Sequence, residues 1–186
     1  MRRFTLLSSL ALLMLSACAP SAGAIQTAIA QTQAAGPASG VLASRLYKLL
    51  EEGSTLNAMT VQGVTFQEYR QQLARVKGAF SVALSAQSAS ASISPEVVNE
   101  MNLAFTGWDL ALSVWDAKSN GRGAPHAPDA VRYPELVEYV GLDKLPFTGG
   151  VPGEGEVDQD HVIRILLARA MDHFTAAQDL VLNEMK

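Results

Sequence analysis

From Val41 onward, apolar residues recur at alternating spacings of three and four, and this period restricts the fold more than any other feature of the chain. It stacks side chains on one side of an α-helix, whereas a strand would need a period of two. The first stretch runs from Val41 to Glu52, with Ser39 or Gly40 as its start, Leu42, Leu46, Leu49 and Leu50 on one face, and Gly53 placed to cap its end. The second opens on Thr65-Phe66-Gln67-Glu68, a capping box, with Val64 placed to staple onto Tyr69. Phe66, Tyr69, Leu73, Val76, Phe80 and Ala83 then form its stripe, which fades into an Ala/Ser run over residues 85–92 that can continue the helix with a small-residue face.

Ser94 followed by Pro95 starts the third helix, Asn120-Gly121 ends it, and Val98, Met101, Phe105, Trp108, Leu112 and Trp115 mark its face. The fourth, from about His161 to Asn183, is capped by Asp158 or Asp160 and is apolar around most of its circumference, the pattern of a deeply buried helix. These four segments predict an all-α, four-helix bundle-like domain over residues 41–186. If the second and third helices form an antiparallel hairpin turning near Ile93, Phe80 meets Trp108, Val76 meets Leu112 and Leu73 meets Trp115. Arg70 then faces Asp116, and Lys77 faces Asp109.

The connection between the third and fourth helices, Ser119 to Val157, is too long for an ordinary bundle loop and is expected to be partly ordered. Pro134 to Val140 reads as a short helix with proline in its first turn and Gly141 behind it, and Leu136, Val137 and Leu142 are placed to cover an open end of the bundle. Residues 129–160 also hold eight acidic side chains, Asp129, Glu135, Glu138, Asp143, Glu154, Glu156, Asp158 and Asp160, against two basic ones. A concentrated acidic segment of this kind attracts a basic protein or envelope partner. It gives no footing for nucleic acid, which needs a basic patch.

The chain opens with MRRFTLLSSLALLMLSAC, in which Arg2 and Arg3 precede an apolar run too short to span a membrane. Its end, Leu15-Ser16-Ala17-Cys18, resembles the lipobox of bacterial lipoproteins. The resemblance implies cleavage before Cys18, acylation of that cysteine, and a membrane anchor of two or more acyl chains. Residues 1–17 would then be a signal peptide, and residues 18–40, rich in Ala, Ser, Gln and Thr, a lipidated cysteine and flexible tether. Ala19 rather than Asp follows the cysteine, so the cell envelope is implied as the location, with the outer membrane favoured where there are two. Ala17-Cys18-Ala19 also fits ordinary secretory cleavage, which would leave the protein soluble. Cys18 is the only cysteine, so no disulfide stabilises the domain.

Bundles of this size often hold metals or cofactors, and the residues for one are sparse. A carboxylate di-iron site uses two Glu-x-x-His pairs, and only Asp158-x-x-His161 approaches the pattern. His173 and Met171 are candidate haem ligands, but a lone histidine beside an apolar face reads more simply as a satisfied core residue. Trp108 and Trp115, a heptad apart, read as core rather than as a ligand cage. The alternating acids from Glu154 to Asp160 lack the glycine and closing glutamate of an EF-hand. No hydrolase, metalloprotease or phosphate-loop motif is present, so neither catalysis nor a cofactor is expected. The reading is a lipid-anchored, non-catalytic envelope protein that binds a protein or envelope polymer. The alternative is a bundle holding a small ligand, metal or cofactor in its core.

Overall fold

The computed structural model describes residues 37–88, 91–120, 134–141, 144–145 and 158–185. Among them are five helices and no strand: α1 (Pro37–Gln62), α2 (Phe66–Ser85), α3 (Pro95–Ser119), α4 (Pro134–Val140) and α5 (Gln159–Glu184). The long helices form an all-α bundle in which α1 neighbours α2, α2 neighbours α3, α3 neighbours α5, and α5 closes on α1.

Helix boundaries follow local chemistry. At α2 the Thr65 hydroxyl accepts from the Glu68 amide while the Glu68 carboxylate accepts from the Thr65 amide, completing the capping box. Ser94 caps α3 with Pro95 in its first turn, and the Asp158 carboxylate accepts from the amides of Asp160 and His161 at the start of α5. Gly141, at φ +90°, ends α4.

Three helix limits differ from the sequence reading. α1 starts at Pro37, not at Val41, and runs through Gly53 to Gln62, with Gly63 at φ +91° as its terminating glycine. Leu56, one turn past Gly53, is fully buried and continues the stripe of Leu42, Leu46 and Leu49. α2 ends at Ser85 rather than continuing through the Ala/Ser run, and Ser88 and Ala91 pair in an isolated bridge.

The bundle is two helix pairs laid face to face. α3 and α5 approach most closely, and α1 and α2 form the second pair. Small buried residues allow the first approach: a Cβ added at Gly107 would lie 2.9 Å from the Ala170 Cβ, and Ala104, Ala111 and Ala177 are fully buried as well. The stripe of α3 that is buried is therefore Val97, Met101, Ala104, Trp108 and Ala111. Val98, Phe105, Leu112 and Trp115 sit half-buried on its flank. Between the pairs lie aromatic rings, with Trp108 against both Phe105 and Phe174 at centroid separations of 5.8 Å. This places Trp108 in the core, fully buried.

α2 and α3 meet one turn away from the expected aromatic register. Phe80 packs on Phe105 at 5.3 Å, and Trp115 packs on Tyr69 at 5.8 Å. The Lys77–Asp109 ion pair forms at 2.6 Å, whereas Arg70 and Asp116 make no ion pair among the described residues. Lys77 is long enough to reach its carboxylate in either register, so the charge pattern did not separate the two.

A second apolar cluster lies at the end of the α3–α5 pair, where Leu110, Val114, Val162, Ile163 and Leu166 are buried under Leu136 and Val140 of α4. α4 thus covers this end as its sequence suggests. Leu142, expected to help, lies outside the described residues.

Candidate functional site

α4 is fixed by polar contacts as well as by Leu136 and Val140. The Tyr139 hydroxyl donates to the Leu103 carbonyl of α3 at 3.1 Å, and the Arg169 guanidinium of α5 donates to the Tyr139 carbonyl while lying 5.9 Å from its ring. Fastened there, α4 forms one wall of an open groove of about 710 Å3 whose other walls are α3 and α5. Leu103, Leu110 and Tyr139 supply its apolar surface, and Asp109, Glu135 and Glu138 its carboxylates.

At one side of the groove His173 of α5 places Nδ1 2.7 Å from the Glu100 carboxylate of α3. Both side chains are partly exposed, at 31% and 26%, and the Tyr139 ring lies 6.2 Å from the imidazole. His173 is therefore a satisfied histidine tying α5 to α3. Burial pushes the Tyr139 phenol up to about 12, with the charges of Asp172 and Glu100 adding to the rise and Arg169 opposing it. It enters the groove as a neutral hydroxyl.

The eight acidic residues of the connection separate into different roles. Glu135 and Glu138 line the groove, exposed and without an ion-pair partner among the described residues. Asp158 is the cap of α5, and Asp160 pairs with Lys118 of α3 at 2.5 Å, so these two serve the fold. Asp129, Asp143, Glu154 and Glu156 lie outside the described residues.

Asp109, Tyr139 and His173 line the groove, and Glu100 pairs with His173 beside it. The sequence offers His173 only as a candidate haem ligand or a satisfied core histidine and does not mark Asp109, Tyr139 or Glu100 as site residues. Glu100 and His173 are 73 positions apart, and only the packing of α5 on α3 brings them together. Asp109 carried one signal, its opposition to Lys77, and that ion pair does form.

No group of three or more His, Cys, Asp or Glu among the described residues is arranged to hold a metal ion. In the core, the Trp108 indole N–H is buried without a hydrogen-bond acceptor among the described residues. No described helix is long and apolar enough to cross a membrane. No protein-family model, curated protein or solved structure matches the chain.

Proposed function

We propose that the chain is a lipid-anchored, non-catalytic protein of the cell envelope whose helical domain holds a basic protein or envelope-polymer partner. Cys18, in its lipobox-like setting, supplies the anchor. The observation that carries the binding half of this reading is the groove beside α4, where Glu135 and Glu138 stand exposed next to apolar wall and without an ion-pair partner among the described residues. Carboxylates so placed attract cations at salt-dependent rates, and the adjoining apolar surface adds contact area once a partner is seated.

Capture of partners from envelope extracts at low and high salt tests it. Glu135→Gln with Glu138→Gln should lose the salt-sensitive partner while keeping the wild-type helical circular dichroism. Neutralising Asp158 or Asp160 should lower stability instead, because each is already engaged within the fold. Undiminished capture by the folded Glu135/Glu138 variant would reject the groove.

The second reading, a small ligand within the bundle, has in its favour the Trp108 indole N–H, buried without an acceptor among the described residues, since buried polar groups normally find a partner. Purified protein that carries a chromophore, a metal or a co-purifying small molecule would support it.

A further inference from the structure

The two helix pairs carry opposite charge. α1 and α2 hold five basic side chains (Arg45, Lys48, Arg70, Arg75 and Lys77), all exposed, against three acidic ones (Glu51, Glu52 and Glu68). Helices α3, α4 and α5 together hold ten acidic against three basic, with Asp158 adding another acid at the cap. This polarity is a property of the fold: it appears only because α5 packs on α3 while α1 packs on α2. Part of the positive side is already spent, since Lys48 pairs with Glu51 and Glu52, and Lys77 pairs with Asp109. Arg45, Arg70 and Arg75 make no ion pair among the described residues.

We infer that this polarity orients the domain on an anionic lipid surface, with the α1–α2 pair toward the membrane and the α4 groove away from it. The inference rests on the proposed anchor at Cys18, which keeps the domain near the bilayer. Packed helices lie about 8–10 Å apart, which is close to the Debye length of about 8 Å at physiological ionic strength. The nearer pair therefore sits within the surface potential and the farther pair largely beyond it. The favoured orientation brings a net positive face to anionic headgroups, and the reverse orientation brings a strongly negative one. Repulsion of the α3–α4–α5 face thus contributes as much to the preference as attraction of the three arginines that make no ion pair among the described residues. The consequence for the groove is access: its carboxylates face a partner arriving from outside the lipid surface.

The chain's single cysteine makes the test direct, because acylation of Cys18 leaves an introduced cysteine as the only free thiol. Gln71→Cys on α2 and Thr175→Cys on α5, both at exposed positions, are labelled with a fluorescent donor in the acylated full-length protein. The proteins are placed in vesicles of phosphatidylcholine alone or with phosphatidylglycerol, each containing a headgroup acceptor. Energy transfer should be higher from position 71 than from position 175 in the anionic vesicles. The difference should vanish in neutral vesicles, in molar salt, where the Debye length falls to about 3 Å, and in the Arg45→Gln, Arg70→Gln, Arg75→Gln variant. Equal transfer from both positions in anionic vesicles, or the same preference in neutral ones, would overturn the inference. The mass of the Cys18 peptide reports the anchor separately: an unmodified cysteine rejects the anchor and the orientation with it, whereas an acylated chain without preference rejects the orientation alone.

Discussion

The ring of Phe174 occupies the space that a side chain on residue 53 would need: a Cβ built on Gly53 would lie 2.2 Å from Cε2 of that ring. Gly53 is buried in the middle of α1, and Phe174, on α5, is itself buried against Trp108. In a solvent-facing helix, replacing glycine with alanine stabilises by about 1 kcal/mol. Here the sign reverses. Gly53→Ala should destabilise by about 1–3 kcal/mol, the usual cost of overpacking a core. Urea titration of Gly53→Ala, Phe174→Leu and the double variant checks this, and the two changes should be non-additive, the smaller residue at 174 recovering part of the loss.

Tyr69 is fully buried, and its hydroxyl donates to the Trp108 carbonyl at 3.0 Å, joining α2 to α3. Removing that hydroxyl by Tyr69→Phe should lower stability by about 1 kcal/mol at neutral pH, measured as a shift of the urea midpoint at constant slope.

The same residue gives the domain an alkaline limit. Burial, helped by the charge of Asp109, pushes the Tyr69 phenol far above its ordinary range, and burial pushes Tyr139 up to about 12. An unfolded tyrosine releases its proton near 10. Above that pH the unfolded chain binds fewer protons than the folded one, so stability is complete below about 10 and falls as pH rises toward 12. Urea midpoints measured across this interval should decline, and Tyr69→Phe and Tyr139→Phe should each flatten the decline.

The two surface features of α2 should differ in effect. Thr65→Ala removes the hydroxyl of the capping box and should cost about 1 kcal/mol. Lys77→Ala breaks an ion pair whose partners are 43% and 48% exposed, and should change stability by no more than about 1 kcal/mol. Thermal or urea unfolding of the two variants side by side checks the order.

What could be read in advance, and what could not, divides by the range of the interaction that decides it. Thr65 with Glu68, Ser94 with Pro95, and Pro134 through Gly141 are local, and the structure places helix ends where those residues indicate. Gly53 misled because a glycine after a helical stretch reads as a stop, while its reason for being glycine is a ring 121 positions away. The continuing stripe through Leu56 was the available sign that the helix goes on. The one-turn difference in the α2–α3 register has the same origin. Apolar residues at spacings of three and four repeat every turn, so a slip of one turn keeps them facing inward, and only the shapes of Phe105 and Trp115 choose. Of the groove, the acidic side chains of α4 were visible in the sequence. Its other walls depend on the long-range pairing of α3 with α5.

That pairing also bears on the order in which the domain is completed. α1, α2 and α3 are joined by short links and meet as sequence neighbours, but the closest helix contact in the bundle awaits α5, which joins α3 across the longest connection. Loop-closure cost rises only slowly with length, so this connection tolerates being long, yet contacts across it form late. Until the last helix arrives, Trp108 and Gly53 have no Phe174 to close over them. The first three helices alone are therefore an unfinished core, and a chain stopped before α5 would offer proteases an open apolar face where the complete one presents a closed bundle.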